Sequence, residues 1–178
     1  VSLGALSLNG TTNLQSSASL MRDWVNSVTS TSKVTATAET RIKSTSEGIN
    51  LIDQIRINGT LIGDGVVPAS VDALVGQINA KASTTKVTAS VGNDGGIELT
   101  NVAGYEGSNI TLSNPNASAS SNALGLANQT YTGTVSFDSA DQIRFTFGST
   151  GKAGDLSVLG LQAGVYIKNP TPDDLAVF

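Results

Sequence analysis

The segment that decides the fold reads Ile55-Arg-Ile-Asn-Gly-Thr60, then Val71-Asp-Ala-Leu-Val-Gly-Gln-Ile-Asn-Ala80, then Val87-Thr-Ala-Ser-Val91. In its first part, Ile55 and Ile57 alternate with polar residues, which is typical of a strand with one buried face. Asn58 and Gly59 follow, and both tolerate the positive φ that a type I′ turn requires. The first part therefore predicts a β-hairpin.

The second part of the segment predicts a helix. Val71, Leu74, Val75 and Ile78 recur at the spacing that places side chains on one helical face. Ser70 stands directly before them as a candidate N-cap, because its hydroxyl can accept a hydrogen bond from a free N–H group of the first turn. We therefore expect a helix that begins after Ser70 and buries one stripe.

The third part predicts another hairpin. Val87, Ala89 and Val91 alternate with polar residues, Asn93-Asp-Gly-Gly96 supplies a turn, and the chain returns through Ile97. The whole segment is therefore predicted to fold as β-hairpin, helix and β-hairpin, with the helix covering one face of the sheet.

A second version of this module precedes it in the chain. Leu6-Ser-Leu-Asn-Gly-Thr11 corresponds to residues 55–60, and Lys33-Val-Thr-Ala36 recurs as Lys86-Val-Thr-Ala89. Between them, the helix is predicted from Ser17 as N-cap and from a stripe of Ala18, Met21, Val25 and Val28, with Trp24 beside it. The motif positions of this copy are Leu8, Asn9, Gly10, Val25, Asn26, Val34 and Ala36. The chain is therefore predicted to contain one supersecondary unit twice.

The repeats divide the chain into three predicted segments. We expect a first repeat over residues 1–52, a second over residues 53–130, and a C-terminal β segment over residues 131–178. In the second segment, residues 114–128 predict a polar loop with apolar anchors at Ala123-Leu-Gly-Leu126. The fold class is predicted as α+β and predominantly β. Because the chain opens inside a predicted strand, we also expect it to be a fragment of a longer protein.

The composition argues against several classes of function. The chain has 178 residues, a net charge of −4, and neither histidine nor cysteine. It therefore lacks the usual acid–base group near neutral pH, the usual thiolate nucleophile and most zinc ligands. We expect no cofactor and no metal. An acidic chain without a basic cluster predicts no nucleic-acid partner, and no apolar run is long enough to predict membrane insertion.

The three parts of the deciding segment, followed by Gly96-Ile-Glu-Leu-Thr100, resemble the flagellin hook IN motif. That motif is a strand ending in Ile-Asn-Gly, a short helix ending in Ile-Asn-Ala, and a Val-Thr-Ala hairpin. The matching positions here are Ile55, Ile57, Asn58, Gly59, Leu74, Ile78, Asn79, Val87 and Ala89. The first copy resembles a degenerate version, with Leu-Asn-Gly and Val-Asn-Ser in place of the motif's tripeptides.

The resemblance implies a structural, non-catalytic protein of the bacterial flagellum. In that family, such motifs lie in secreted, surface-exposed outer domains of flagellins, of the filament-capping protein and of hook-associated junction proteins. It further implies an extracellular location, a link to motility, and other subunits of the flagellar axial structure as partners. Those partners bind mostly through long terminal helices, which this sequence does not contain; host receptors or glycans are candidate further partners. Oligomeric state distinguishes the alternatives, because capping domains can form rings.

A glycan-binding or adhesive module is a second alternative, from a different class. It predicts an exposed aromatic platform, for which Trp24, Tyr105, Tyr131 and Tyr166 are the candidates. Trp24 lies beside an apolar helical stripe, which favours burial. The serines of the polar loop, Ser118, Ser120 and Ser121, are candidates for O-glycosylation.

Several short patterns suggest chemistry that their context does not support. Ser30–Lys33, Ser83–Lys86 and Ser149–Lys152 have the spacing of a serine nucleophile and its lysine base. The first two occupy the same position in the two repeats, so a repeated loop explains them better than two active sites. The Gly-rich stretch Phe147–Lys152 lacks the Ser or Thr that a phosphate-binding loop needs after its lysine. The pairs Asp138/Asp141 and Asp173/Asp174 are interpreted as solvated turn carboxylates.

Overall fold

A computed structural model describes residues 18–116, 118–146 and 164–166 of the chain. These residues belong to two compact units. The larger unit includes residues 18–21 and 37–135, and the smaller one includes residues 22–36 together with the described residues from 136 onward.

Two pairs of helices and several antiparallel strands form an α+β fold in the described chain, as predicted. The α-helices are α1 (Ala18–Asn26), α2 (Thr29–Ser32), α3 (Val71–Ala80) and α4 (Ala82–Thr85), and short 3₁₀ turns cover Ser46–Gly48 and Gly63–Gly65. The strands are β1 (Thr35–Glu39), β2 (Arg41–Lys43), β3 (Arg56–Ile57), β4 (Thr60–Leu61), β5 (Val87–Val91), β6 (Ile97–Asn101), β7 (Ile110–Ser113), β8 (Thr130–Tyr131), β9 (Thr134–Asp138), β10 (Ile143–Phe145) and β11 (Gly164–Tyr166).

One sheet of the larger unit contains the predicted first hairpin. Its strand order is β4-β3-β7-β8, and its strands run antiparallel. Asn58 and Gly59 connect β3 to β4 with φ values of 48° and 81°. Both central residues thus have the positive φ of a type I′ turn, and the turn pairs Ile57 with Thr60. The prediction of a hairpin at this place is confirmed.

The other sheet of the larger unit contains the second predicted hairpin. Its strand order is β2-β6-β5, also antiparallel. The N–H of Gly92 donates to the carbonyl of Gly96 at 2.8 Å, which closes the turn between β5 and β6. Gly95 has a φ of 77°, a conformation that costs glycine little because it has no Cβ.

Helix α3 begins and packs as its sequence predicts. The hydroxyl of Ser70 accepts a hydrogen bond from the N–H of Ala73 at 3.1 Å, so Ser70 is the N-cap. Leu74 and Ile78 are buried, and Val71 and Val75 are partly buried against the same core. That core consists of Ile42, Ile55, Ile57, Ile62, Leu74, Ile78, Val87, Ile97, Leu99, Ile110, Leu112, Ala123 and Leu124.

The N-cap of α3 has a measurable consequence for stability. We expect Ser70→Ala to lower the free energy of unfolding by about 1 kcal/mol, because one N–H of the first turn loses its partner. Ser70→Asp should keep most of the stability, since a carboxylate also accepts this hydrogen bond and interacts favourably with the helix N-terminus. Urea denaturation followed by circular dichroism measures the difference, and equal losses in both variants would contradict a capping role.

The first copy departs from the predicted order after its helix. A hairpin was expected there, but β1 belongs to a sheet with β9, whereas β2 pairs with β6. The physical reason is the connection: only Thr40 separates β1 from β2, and the common tight hairpins need a loop of at least two residues. β1 and β2 therefore do not pair with each other, and β2 completes the sheet of the second copy.

The polar loop of residues 114–128 is anchored as predicted. Ala123 and Leu124 are each only 1% exposed and join the core of the larger unit. The buried side chain of Asn122 holds this turn, because it donates to the carbonyl of Leu126 at 3.0 Å and accepts from the N–H of Leu124 at 3.0 Å. A polar segment is thus fixed by two apolar contacts and one internal amide.

The smaller unit contains most of α1, all of α2 and the strands β10 and β11. These strands pair antiparallel, with Ile143 opposite Tyr166. Val25 and Ala36 are buried.

Some predictions fall on residues outside the described ranges. These are the first hairpin with Leu8, Asn9 and Gly10, the cap at Ser17, the stretch 147–152, and the pair Asp173/Asp174. Within the described ranges, no helix has the length and apolar character needed to cross a bilayer.

Candidate functional site

Asn58 connects three elements of the larger unit, and we call these contacts the Asn58 junction. Its backbone N–H donates to the carbonyl of Thr111 at 2.9 Å, and its side-chain oxygen accepts from the N–H of Thr111 at 2.8 Å. Its side-chain nitrogen donates to the carbonyl of Thr85 at 2.7 Å. One turn residue therefore joins the first hairpin to strand β7 and to the end of helix α4.

Asn79 makes a second two-sided contact, the Asn79 clamp. Its side-chain oxygen accepts from the N–H of Ala89 at 2.8 Å, and its side-chain nitrogen donates to the carbonyl of the same residue at 3.0 Å. Asn79 is the penultimate residue of α3, and Ala89 is the central residue of β5. The clamp therefore fixes the end of the helix to the middle of the strand.

The connection between α4 and β5 is held by Thr85 and Lys86. Thr85 is 1% exposed, and its hydroxyl accepts from the N–H of Val87 at 3.2 Å. Lys86 has a φ of 60°, and its ammonium group donates to the carbonyl of Ser83 at 2.6 Å. The same ammonium group lies 5.0 Å from the ring centre of Tyr105, a cation–π distance. This left-handed residue ends the helix and turns the chain into the strand.

The smaller unit contains the same contacts 53 residues earlier. Asn26 accepts from the N–H of Ala36 at 2.8 Å and donates to its carbonyl at 2.9 Å, and we call this pair the Asn26 clamp. Lys33 has a φ of 58°, and its ammonium group donates to the carbonyl of Ser30 at 2.8 Å. The hydrogen-bond pattern from helix to strand is thus equivalent in the two places.

These contacts explain two of the three Ser-x-x-Lys patterns. In both, the lysine ammonium group binds the backbone carbonyl of the serine. A carbonyl there is one of the unpaired acceptors at a helix C-terminus, which lysine commonly satisfies. The spacing therefore serves helix termination. The third pattern, Ser149–Lys152, lies outside the described residues.

Charged side chains form an ion-pair cluster on the sheet of β2 and β6. Glu98 contacts both Arg41 and Lys43, and Arg41 also contacts Glu39. The hydrogen bond that Arg41 donates to the carboxylate of Glu39, assisted by the negative charges of Glu39 and Glu98, raises the pKa of Arg41. Among the residues that the structure describes, no group of acidic side chains could hold a metal ion.

The three candidate aromatic residues whose side chains the structure describes have different surroundings. Tyr105 is half-buried beneath the ammonium group of Lys86. Tyr131 packs against the core of the larger unit, and its hydroxyl donates to the carbonyl of Ala127 at 3.2 Å. Trp24 is half-buried in the smaller unit, and Tyr166 lies in β11.

The serines proposed for glycosylation lie in the polar loop. Ser118 and Ser120 are exposed, while Ser121 is half-buried and bridges to Ala127. Their O-glycosylation stays a prediction.

Sequence reasoning missed the role of Thr85. It carries the connection between helix and strand, and the Asn58 junction ends on its carbonyl. The sequence contained a signal for this role, because a second hydroxyl residue, Ser32, stands at the corresponding position of the first copy. In the structure, the hydroxyl of Ser32 accepts from the N–H of Val34 at 3.2 Å.

No curated protein matches the chain. Residues 54–103 match the family described as the flagellin hook IN motif. This range includes Asn58 and Thr85, so it contains the Asn58 junction except for Thr111. It also includes Asn79 and Ala89, which form the Asn79 clamp. The match covers less than a third of the chain and shows that residues 54–103 are similar to this motif of flagellin-related structural proteins.

Proposed function

We propose that this chain is a surface-exposed, non-catalytic outer domain of a bacterial flagellar filament protein, with flagellin as the first candidate. The observation that carries the proposal is the match of residues 54–103 to the hook IN motif. In this segment, the side chains of Asn58 and Asn79 form hydrogen bonds with the backbone of other elements. A motif whose amides bind its own backbone suits a rigid structural role.

The second part of the proposal is that the first copy is a degenerate tandem version of the same motif. The Asn26 and Asn79 clamps have equivalent partners, and Lys33 and Lys86 have nearly equal positive φ values. These similarities support a division into repeats over residues 1–52 and 53–130, followed by a β segment over residues 131–178.

The mechanism of such a domain is mechanical. Hydrophobic burial holds α3 against its sheet, and the Asn58 junction and Asn79 clamp prevent the hairpins from sliding. The proposed partners are other subunits of the axial structure, and the domain presents a stable polar exterior outside the cell. Host receptors or glycans are further candidate partners of that exterior.

Immunogold electron microscopy tests the location. An antiserum raised against the recombinant chain should label flagella of the producing cells along the whole filament. Adsorbing the antiserum with the recombinant chain should abolish the label, which serves as the control. Labelling confined to the distal tip would favour a capping protein, and labelling confined to the boundary of hook and filament would favour a junction protein. Cells whose flagella carry no label would contradict all three assignments.

A further inference from the structure

Among the strands that the structure describes, β5 is at the edge of its sheet, so one row of its backbone groups faces away from β6. Gly92 bonds across to Gly96, and in an antiparallel ladder successive residues face alternate edges. Ser90 and Thr88 therefore face β6. The residues whose N–H and C=O groups face the open edge are Val87, Ala89 and Val91.

Side chains occupy most of that open edge. The hydroxyl of Thr85 accepts from the N–H of Val87 at 3.2 Å and lies 3.3 Å from its carbonyl oxygen. Asn79 binds both the N–H and the carbonyl of Ala89. A carboxamide has the same donor and acceptor as a peptide group, so Asn79 takes the place of a neighbouring strand. Within the described ranges, Val91 receives no such side-chain contact.

The equivalent edge of β1 is covered in the same way. Asn26 binds both backbone groups of Ala36. Ser32 accepts from the N–H of Val34 at 3.2 Å, and the hydroxyl of Thr29 donates to the carbonyl of Val34 at 2.8 Å. Two consecutive edge-facing residues are thus covered in each copy, although the covering hydroxyls differ.

We propose that Asn79 with Thr85, and Asn26 with Thr29 and Ser32, are edge guards that prevent a second copy of this chain from pairing with β5 or β1. Unpaired backbone groups on an edge strand are a template for intermolecular sheet formation, and proteins commonly block them. The guards keep neighbouring copies separate at high local concentration. This inference stands independently of the proposed flagellar location.

The test compares Asn79→Ala with a matched control, Gln77→Ala. Gln77 lies on the same helix and its amide also donates to a backbone carbonyl, but that carbonyl belongs to Val66 in a loop. We expect Asn79→Ala to reach at least twice the monomer mass in size-exclusion chromatography with light scattering. Under the same conditions the parent chain and Gln77→Ala should stay monomeric.

A rescue variant and hydrogen exchange separate edge pairing from general destabilisation. Adding Val91→Lys to Asn79→Ala should restore the monomer, because a lysine on an edge strand opposes pairing. In the parent chain, the N–H of Ala89 should exchange slowly and that of Val91 rapidly. A folded Asn79→Ala variant that remains monomeric overturns the proposal, as does equal association of Gln77→Ala. If Asn79→Ala does not fold, fast exchange at Ala89 in the parent chain overturns it.

Discussion

Asn58→Ala is expected to lower the free energy of unfolding by about 2–4 kcal/mol, because it removes two part-buried hydrogen bonds of the Asn58 side chain. Their backbone partners are the N–H of Thr111 and the carbonyl of Thr85. Alanine also tolerates the φ of 48° at this position less well than asparagine does. Urea denaturation followed by circular dichroism measures the loss, which is a large part of a typical domain's stability.

Two further variants separate the causes of this loss. Asn58→Gly keeps the positive φ but has no side-chain amide. It should therefore lose most of the stability that the two hydrogen bonds contribute. Asn93→Ala changes an exposed asparagine in the other hairpin turn and should alter stability by less than about 0.5 kcal/mol. If Asn58→Gly were as stable as the parent chain, backbone strain alone would explain the alanine variant and the Asn58 junction would contribute nothing.

Ile78→Ala is expected to cost about 2–5 kcal/mol, because it removes a fully buried side chain and leaves a cavity. Ile78 has 0% exposure and lies in the core cluster with Leu74 and Val87. The cavity would open between α3 and the sheet it covers. The midpoint of urea denaturation measures this loss.

Two smaller truncations on the same helix, Ile78→Val and Val75→Ala, are the controls for this prediction. Ile78→Val removes one methylene and should cost about 0.5–1.5 kcal/mol. Val75→Ala truncates a half-buried neighbour on the same helix and should cost less than Ile78→Ala. An effect of Ile78→Ala no larger than that of Val75→Ala would mean that α3 does not cover the core as described.

Local features were predictable from the residues themselves. Asn58-Gly59 predicted its hairpin because few other residue pairs adopt two consecutive positive φ values without strain. Ser70 and the stripe that includes Leu74 and Ile78 predicted where α3 begins and which face it buries. The positive φ of Lys33 and Lys86 was not predicted, because left-handed lysine is rare and no glycine marked these helix ends.

The sequence pattern predicted that Asn58 and Asn79 belong to the motif, but it did not predict the hydrogen bonds of their side chains. Asn58 was selected for its turn geometry, yet its amide binds residues 27 and 53 positions away. Asn79 was selected as part of a resemblance, and its contact with the edge of β5 became visible only with the strand in place. No periodicity reports such contacts, because a side-chain amide can bind any backbone that the fold brings near it.

The sequence by itself determined the helices α1 and α3, the two hairpins of the second copy and the absence of histidine and cysteine chemistry, because local sterics and residue type decide these properties. The short helices α2 and α4 were not predicted. Only the tertiary structure decided that β2 joins β6, that β1 pairs with β9, and that side chains cover the open edges of β5 and β1. Strand pairing at long range depends on which apolar faces can be buried together, and many pairings satisfy the same local pattern. The choice among them is made by the packing of the whole chain.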